Sequence, residues 1–152
     1  MFTDIDVDME KQLSWYYRIS NDNSQKHWLI SYNDRLVGLV SLSDIQWEHF
    51  RCSWGLYIGE PDVKLIGGLI APYIYKYVFE ELKFKKITAE VLGGNEKARK
   101  IHLKYGCREV GVYKNHILKY GEFDDVHLYE LMEYEWEEKG YRYAHLKMEF
   151  EE

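Results

Sequence analysis

The stretch from Asn95 to Gly106 constrains the fold more than any other segment. Asn95 can cap a helix through its side-chain oxygen. Ala98, Ile101, His102 and Tyr105 then share one face, and Gly106 stops the run. Lys86 to Leu92, just before it, reads as a short strand with little polar alternation, as expected of a central strand covered on both faces. Upstream, Leu69, Ile70, Tyr73, Ile74, Tyr77, Val78 and Leu82 recur at helical spacing and give a broad buried stripe. A helix leading into a central strand implies a crossover connection, so the sheet is mixed.

The other elements favour antiparallel pairing. Asp6 or Asp8 can cap a first helix with apolar positions Met9, Leu13, Tyr16 and Tyr17, ended by Asn21, Asp22 and Asn23. His27 to Tyr32, a tight turn at Asn33-Asp34 and Arg35 to Leu42 read as a hairpin. Arg51 to Ile58 is a third strand, and the period changes after Gly59-Glu60-Pro61. Val110 to Leu118, a turn at Lys119 to Glu122, and Val126 to Tyr134 form a last hairpin. The order predicts an α+β fold with a mixed, mostly antiparallel sheet flanked by helices. The 152 residues suit one domain.

Composition narrows the function. Basic residues number 20 against 26 acidic, a net charge of −6. Nucleic-acid partners require a basic face, so none is expected. The start, MFTDIDVDMEKQ, reads as no signal peptide. The most apolar segment, Leu65 to Phe79, is broken by Gly67, Gly68, Pro72 and Lys76, so no membrane span is expected. Cys52 and Cys107 lack the spacing of a disulfide framework or metal site. They predict reduced thiols, a cytoplasmic protein and no metal.

NEKARKIHLKYGC resembles the N-x-x-A-x-x-(L/I)-(Y/H)-x-x-x-G-F segment of the GNAT acetyltransferases. ITAEVL is similar to their strand before that helix, and SWGLYIG to their central strand. The resemblance runs from about Asp4 to Trp136. It implies a GNAT fold in which acetyl-CoA, as cosubstrate, acetylates a primary amine. A narrower likeness lies in RKIHLKYG, NHILKYGEFDDVHLYEL and Glu135-Trp136. It is to the N-acetyltransferases of pseudaminic acid biosynthesis, which acetylate the 4-amino group of a UDP-linked amino-deoxy sugar. GNATs acting on polyamines or protein N-termini share a looser version. A non-catalytic module that keeps the fold is the third reading.

The site residues follow from the resemblance. It implies that the third strand splays from its neighbour after a bulge, and that the pantetheine arm pairs with freed backbone at Leu56, Tyr57 and Ile58. One N–H there polarises the thioester carbonyl. The loop from Asp62 to Gly68, with Lys64, Leu65, Ile66, Gly67 and Gly68, holds the pyrophosphate at a helix start. Asn95 meets the pantetheine as well as capping, and Lys97 and Arg99 reach CoA phosphates or face solvent. His102 stands where many members carry the tyrosine that protonates the departing thiolate, with a pKa near the working pH. A hydrogen-bonded histidine at the core's edge is the plainer alternative. Asp44, Glu60 or a water chain takes the amine's proton. Ser43, Asp44, Trp47, Tyr113, His116 and Asp125 border the acceptor.

Two departures from the family pattern stand out. Asp62 and Leu65 occupy positions where the family writes Arg or Gln and Gly. Asp62 is expected to repel phosphate and Leu65 to hinder close backbone approach. If Pro72 marks the true helix start, the anion nest moves to Gly67-Gly68. The chain also starts at the family's second helix, so the N-terminal strand and helix are expected to be missing. In GYRYAHLKMEFEE, Tyr143, His145, Lys147 and Glu149 alternate with Ala144, Leu146, Met148 and Phe150. This predicts a strand in the missing one's place, within one chain or from the second subunit of a homodimer.

Overall fold

The computed structural model describes residues 8–147 and 149–150. Asp6 and Met148 lie outside them. The described elements are α1 (Met9–Ser20), β1 (Lys26–Tyr32), β2 (Arg35–Gln46), β3 (Arg51–Ile58), α2 (Gly67–Lys76), β4 (Lys86–Leu92), α3 (Glu96–Lys104), β5 (Arg108–Lys119), β6 (Glu122–Met132) and α4 (Glu133–Gly140). The strands form one sheet in the order β1-β2-β3-β4-β6-β5. Only β3 and β4 run parallel; the other neighbours are antiparallel, as the element order predicts. Asn33 and Asp34 both take positive φ, 51° and 60°, in the short loop that suits a hairpin's twist.

One face of the sheet carries the core. Val40, Leu42, Trp54, Ile87 and Leu131 cluster there with Ile74, Tyr75 and Val78, and Trp136 of α4 closes the cluster. Along β4, Ile87, Ala89 and Val91 are buried while Lys86, Thr88 and Glu90 are not. The strand therefore alternates, and the expectation of cover on both faces is corrected. Cys52 and Cys107 are free and buried.

Pro72 lies inside α2 rather than at its start. It has no N–H, so the Gly68 carbonyl one turn back loses its helical partner. The Tyr105 hydroxyl, at the end of α3, donates to that oxygen at 2.5 Å. The two helices are thereby joined where α2 begins. The apolar stripe continues past α2 through a π-helical turn at Tyr77–Glu81, with Leu82 N–H on the Tyr77 carbonyl at 3.0 Å.

Three expectations are corrected at the chain's ends. Asp8 caps α1, accepting from Glu10 N–H at 2.9 Å, but Met9, Leu13, Tyr16 and Tyr17 all remain exposed. Trp15 makes the docking contact instead, its ring 5.4 Å from His27 on β1. The last strand ends at Met132, and Glu135 secures the start of α4 by accepting from Met132 N–H at 2.8 Å. The tail forms no strand among the described residues. Tyr141–Tyr143 is a 3-10 turn; Tyr143 stacks on Trp136 at 5.5 Å, and Phe150 packs 4.4 Å from Tyr77 and 4.9 Å from Trp28. Aromatic packing on the core, not ladder bonding, places it.

Candidate active site

β3 and β4 start as a pair, Arg51 with Lys86, Cys52 with Ile87 and Ser53 with Thr88, and there the ladder ends. Beyond it β3 pairs only with β2, and β4 only with β6. Backbone groups address alternate sides along a strand. Gly59 N–H bonds Val37 of β2 at 2.9 Å, and the Phe50 carbonyl accepts from Lys86 N–H at 3.3 Å. Counting by twos from either anchor turns Leu56 and Ile58 into the split. Gly93 N–H bonds Asp125 at 2.9 Å, and the same count turns the Glu90 backbone there too. Tyr57 does not bare its backbone as expected; its groups belong to the β2 ladder opposite Leu39. The bulge lies in β2, where register shifts between Ser43 and Gln46 and Asp44 takes φ 45°.

The loop after β3 is less open than expected. Pro61–Ile66 forms 3-10 turns, kinked at Val63 (φ −119°, ψ 16°), that lead into α2, and Gly67 N–H bonds back to the Lys64 and Leu65 carbonyls. Inner donors of the anticipated nest are thus consumed by the turn itself. Leu65 is 91% exposed, Lys64 is exposed and Ile66 half-buried. Asp62 is held by Arg35, Nη2 to Oδ2 at 2.8 Å, and that hydrogen bond keeps its carboxyl below the usual range. Gly67 sits against the β3 arm, where a Cβ would stand 3.3 Å from Leu56 Cδ2.

Across from it, Asn95 caps α3, accepting from Ala98 N–H at 3.2 Å. Gly68 faces Ile101, so this side of α3 looks at the start of α2. Lys97 is exposed. Arg99 is turned elsewhere: its Nε donates to the Tyr129 oxygen at 3.2 Å and Nη2 lies 3.9 Å from Glu109. Its Nε is thereby engaged on the β6 side.

His102 is 7% exposed. Its ring stacks on Tyr129 at 5.2 Å and meets Trp54 edge-on at 5.4 Å. Trp54 is the first residue past the last β3–β4 pair, so the imidazole underlies the vertex of the split. Nδ1 is buried without a hydrogen-bond partner among the described residues. Burial pushes the pKa down to about 4. The expected pKa near the working pH is therefore corrected: at neutral pH the ring is uncharged, and it offers a hydrogen bond rather than a stored proton. Tyr129 is itself fixed, donating to Glu109 at 3.3 Å, while Glu109 also bonds His127 Nδ1.

A stability effect follows. Between pH 6.5 and 4 the unfolded chain binds a proton at His102 that the native state refuses, so stability falls as pH drops through this window. A shift of this size amounts to roughly 3 kcal/mol. His102→Phe should flatten that part of a urea-unfolding pH profile. An unchanged slope in the variant would count against the assignment.

The face away from the core carries a second set of groups. Ser53 and Thr88 are paired and their hydroxyls hydrogen-bond at 2.5 Å, so they share this face. Ser43, paired with Ser53, joins them, and Glu90 follows Thr88 by two residues. Continuing the β3–β4 register would set Glu90 opposite Gly55, which has no side chain. The Glu90 carboxylate is exposed and has no partner among the described residues. Sequence reasoning missed it, although the period-two pattern Lys86, Thr88, Glu90 was there to be read.

Other candidates scatter. Asp44 binds Gln46 and Arg51, at 2.7 and 3.4 Å, and Trp47 packs on Phe84. Both lie at the end where β3 and β4 are still joined, so they do not border the split. Tyr113 pairs with Val126, itself in register with Leu92, which puts it on the Glu90 face; His116 packs against it at 4.7 Å. Asp125 is occupied by Lys114 and the Asn115 N–H, both at 2.9 Å.

Comparison with known proteins agrees with this geometry. Residues 2–108 match the acetyltransferase (GNAT) domain. The chain is 28% identical over 121 residues to the acetyltransferase PseH of Campylobacter jejuni, covering 80% of this chain and 69% of that protein. Among solved structures it superposes on the spermidine N-acetyltransferase of Vibrio cholerae in complex with CoA and spermine. That match has a TM-score of 0.81 at 21% identity, over 89% of this chain and 81% of that one. A probable acetyltransferase follows at TM-score 0.74 and 25% identity, over 84% and 72%. With the family match running unbroken through the split strands and the helix capped by Asn95, the chain belongs to the GNAT acetyltransferases and is an N-acetyltransferase.

Proposed function

We propose that this chain uses acetyl-CoA to acetylate the primary amine of a small molecule, the 4-amino group of a nucleotide-linked amino-deoxy sugar. The split between β3 and β4 carries the reading. Unpaired strand backbone is a docking line for an extended ligand with amide groups of its own, and pantetheine is such a ligand. Leu56 and Ile58 would hold that arm, and a freed N–H would polarise the thioester oxygen. The His102 ring, packed on Trp54 at 5.4 Å, lies beneath the vertex where that ligand would enter.

The chain's own groups divide the work by face. Glu90, on the open face, accepts the proton that the attacking amine must lose. His102, beneath the vertex, hydrogen-bonds the sulfur side. The acceptor choice rests on the likeness of residues 102–136 to the pseudaminic acid enzymes and on the PseH match. A polyamine acceptor is the second reading, favoured by the net charge of −6 and the unpaired Glu90 carboxylate. Self-association belongs to the proposal as well; the Vibrio cholerae enzyme is described as dodecameric.

Isothermal titration with acetyl-CoA should give saturable heat. No heat at millimolar ligand would overturn the enzyme reading. Free-thiol release should then be fastest with UDP-linked amino sugars, and faster release with spermidine would move the assignment to polyamines.

A further inference from the structure

The loop between β3 and α2 offers one cation, the exposed Lys64, and few open backbone donors. Pyrophosphate needs donors and positive charge. Asp62 brings a negative charge, Pro61 has no N–H, and Val63 N–H is used on the Glu60 carbonyl at 3.2 Å. Gly67 N–H is used on Lys64 and Leu65. Arg99 lies across on α3, its Nε turned to Tyr129 and its Nη2 3.9 Å from Glu109.

Arg35 is at hand. It is the first residue of β2, delivered by the tight turn at Asn33 and Asp34. Its Nη2 rests 2.8 Å from Asp62 Oδ2, and its Nη1 lies 4.0 Å from Glu60 Oε2. A guanidinium has five donors in a fixed fork, and one close contact with a carboxylate leaves most of them open. Both partners are at least half exposed, at 50% and 63%, so the open donors face solvent beside the loop.

Resting on the acetyl-CoA reading above, we propose that Arg35 is the cation that binds the pyrophosphate end of the cosubstrate, and that Asp62 is the residue that positions it there. The loop has exchanged a cation of its own for an acid that holds a cation from the neighbouring hairpin. Asp62 then attracts the phosphate-binding group instead of repelling phosphate. Lys64 stands beside it on the same turn.

The test compares acetyl-CoA with S-acetylpantetheine, which keeps the thioester and lacks the pyrophosphate. In Arg35→Gln the ratio of kcat/KM for acetyl-CoA to that for S-acetylpantetheine should fall about tenfold, the size expected of a solvent-screened charged contact. Arg35→Lys, which keeps the charge and loses the fork, should lower the ratio less than Arg35→Gln does. An unchanged ratio in Arg35→Gln overturns the proposal, as does an equal loss in both variants. Equal damage to both thioesters leaves the ratio unchanged and so also overturns it. If the parent protein turns over neither thioester, the acetyl-CoA reading itself fails, and Arg35 with it.

Discussion

Glu90→Gln is expected to lower kcat by about a hundredfold or more, within the range for removal of a general base. Glutamine keeps the shape and removes the proton acceptor. KM for acetyl-CoA should change little, since in the proposed mode the cosubstrate is held by the backbone of Leu56 and Ile58 and not by Glu90. The fold should tolerate the change within about 0.5 kcal/mol, because Glu90 is exposed and its carboxylate has no partner to lose. Steady-state thiol release, with urea unfolding as control, separates the two effects. Full turnover in the variant would return the proton to another route. Asp44 is a poor candidate for that route, being bound to Gln46 and Arg51 at the closed end of the strands.

Gly38→Ala should destabilise the fold severely. A Cβ at residue 38 would stand 2.2 Å from the Tyr57 carbonyl oxygen and 2.8 Å from Ile58 Cδ1. The first obstacle is backbone, so no rotamer relieves it, and β2 must move off β3. Overpacking of this kind costs about 3 kcal/mol or more. Because Ile58 pairs with Gly38, the same displacement reaches the arm of β3 that lines the split. Urea unfolding should show the loss, and a variant within 1 kcal/mol of the parent, roughly the scatter for tolerated substitutions, would contradict it.

Much of the architecture was legible because local signals agreed with the final packing. Asn33-Asp34, Gly59 to Pro61, Asn95 and Gly106 are all punctuation, and each marks a boundary in the structure. Errors arose where one period served two purposes. Lys86 to Leu92 alternates, but its three buried positions were strong enough to suggest cover on both faces. The tail alternates too, yet Tyr143 and Phe150 are drawn to Trp136, Trp28 and Tyr77, contacts that no local pattern encodes.

The cap at Asn95 and the end of the β3–β4 ladder were legible, and the state of the side chains around them less so. Asn95 and the β3 arm could be named from the resemblance. The protonation state of His102 could not, because its burial depends on Trp54 and Tyr129, which come from two other strands. The pairing of Asp62 was hidden for a similar reason. Its partner Arg35 lies 27 positions earlier and meets it only once the hairpin folds back.

The contact between Tyr105 and Gly68 has a consequence for how such sequences can vary. Pro72 strips a carbonyl of its helical partner, and Tyr105 supplies a replacement from another helix. Alone, Tyr105→Phe strands a polar oxygen that Pro72 cannot serve. With an ordinary residue at 72, the helix serves that oxygen itself and phenylalanine at 105 becomes tolerable. The order of substitutions therefore matters: a lineage can abandon the hydroxyl only after it has abandoned the proline.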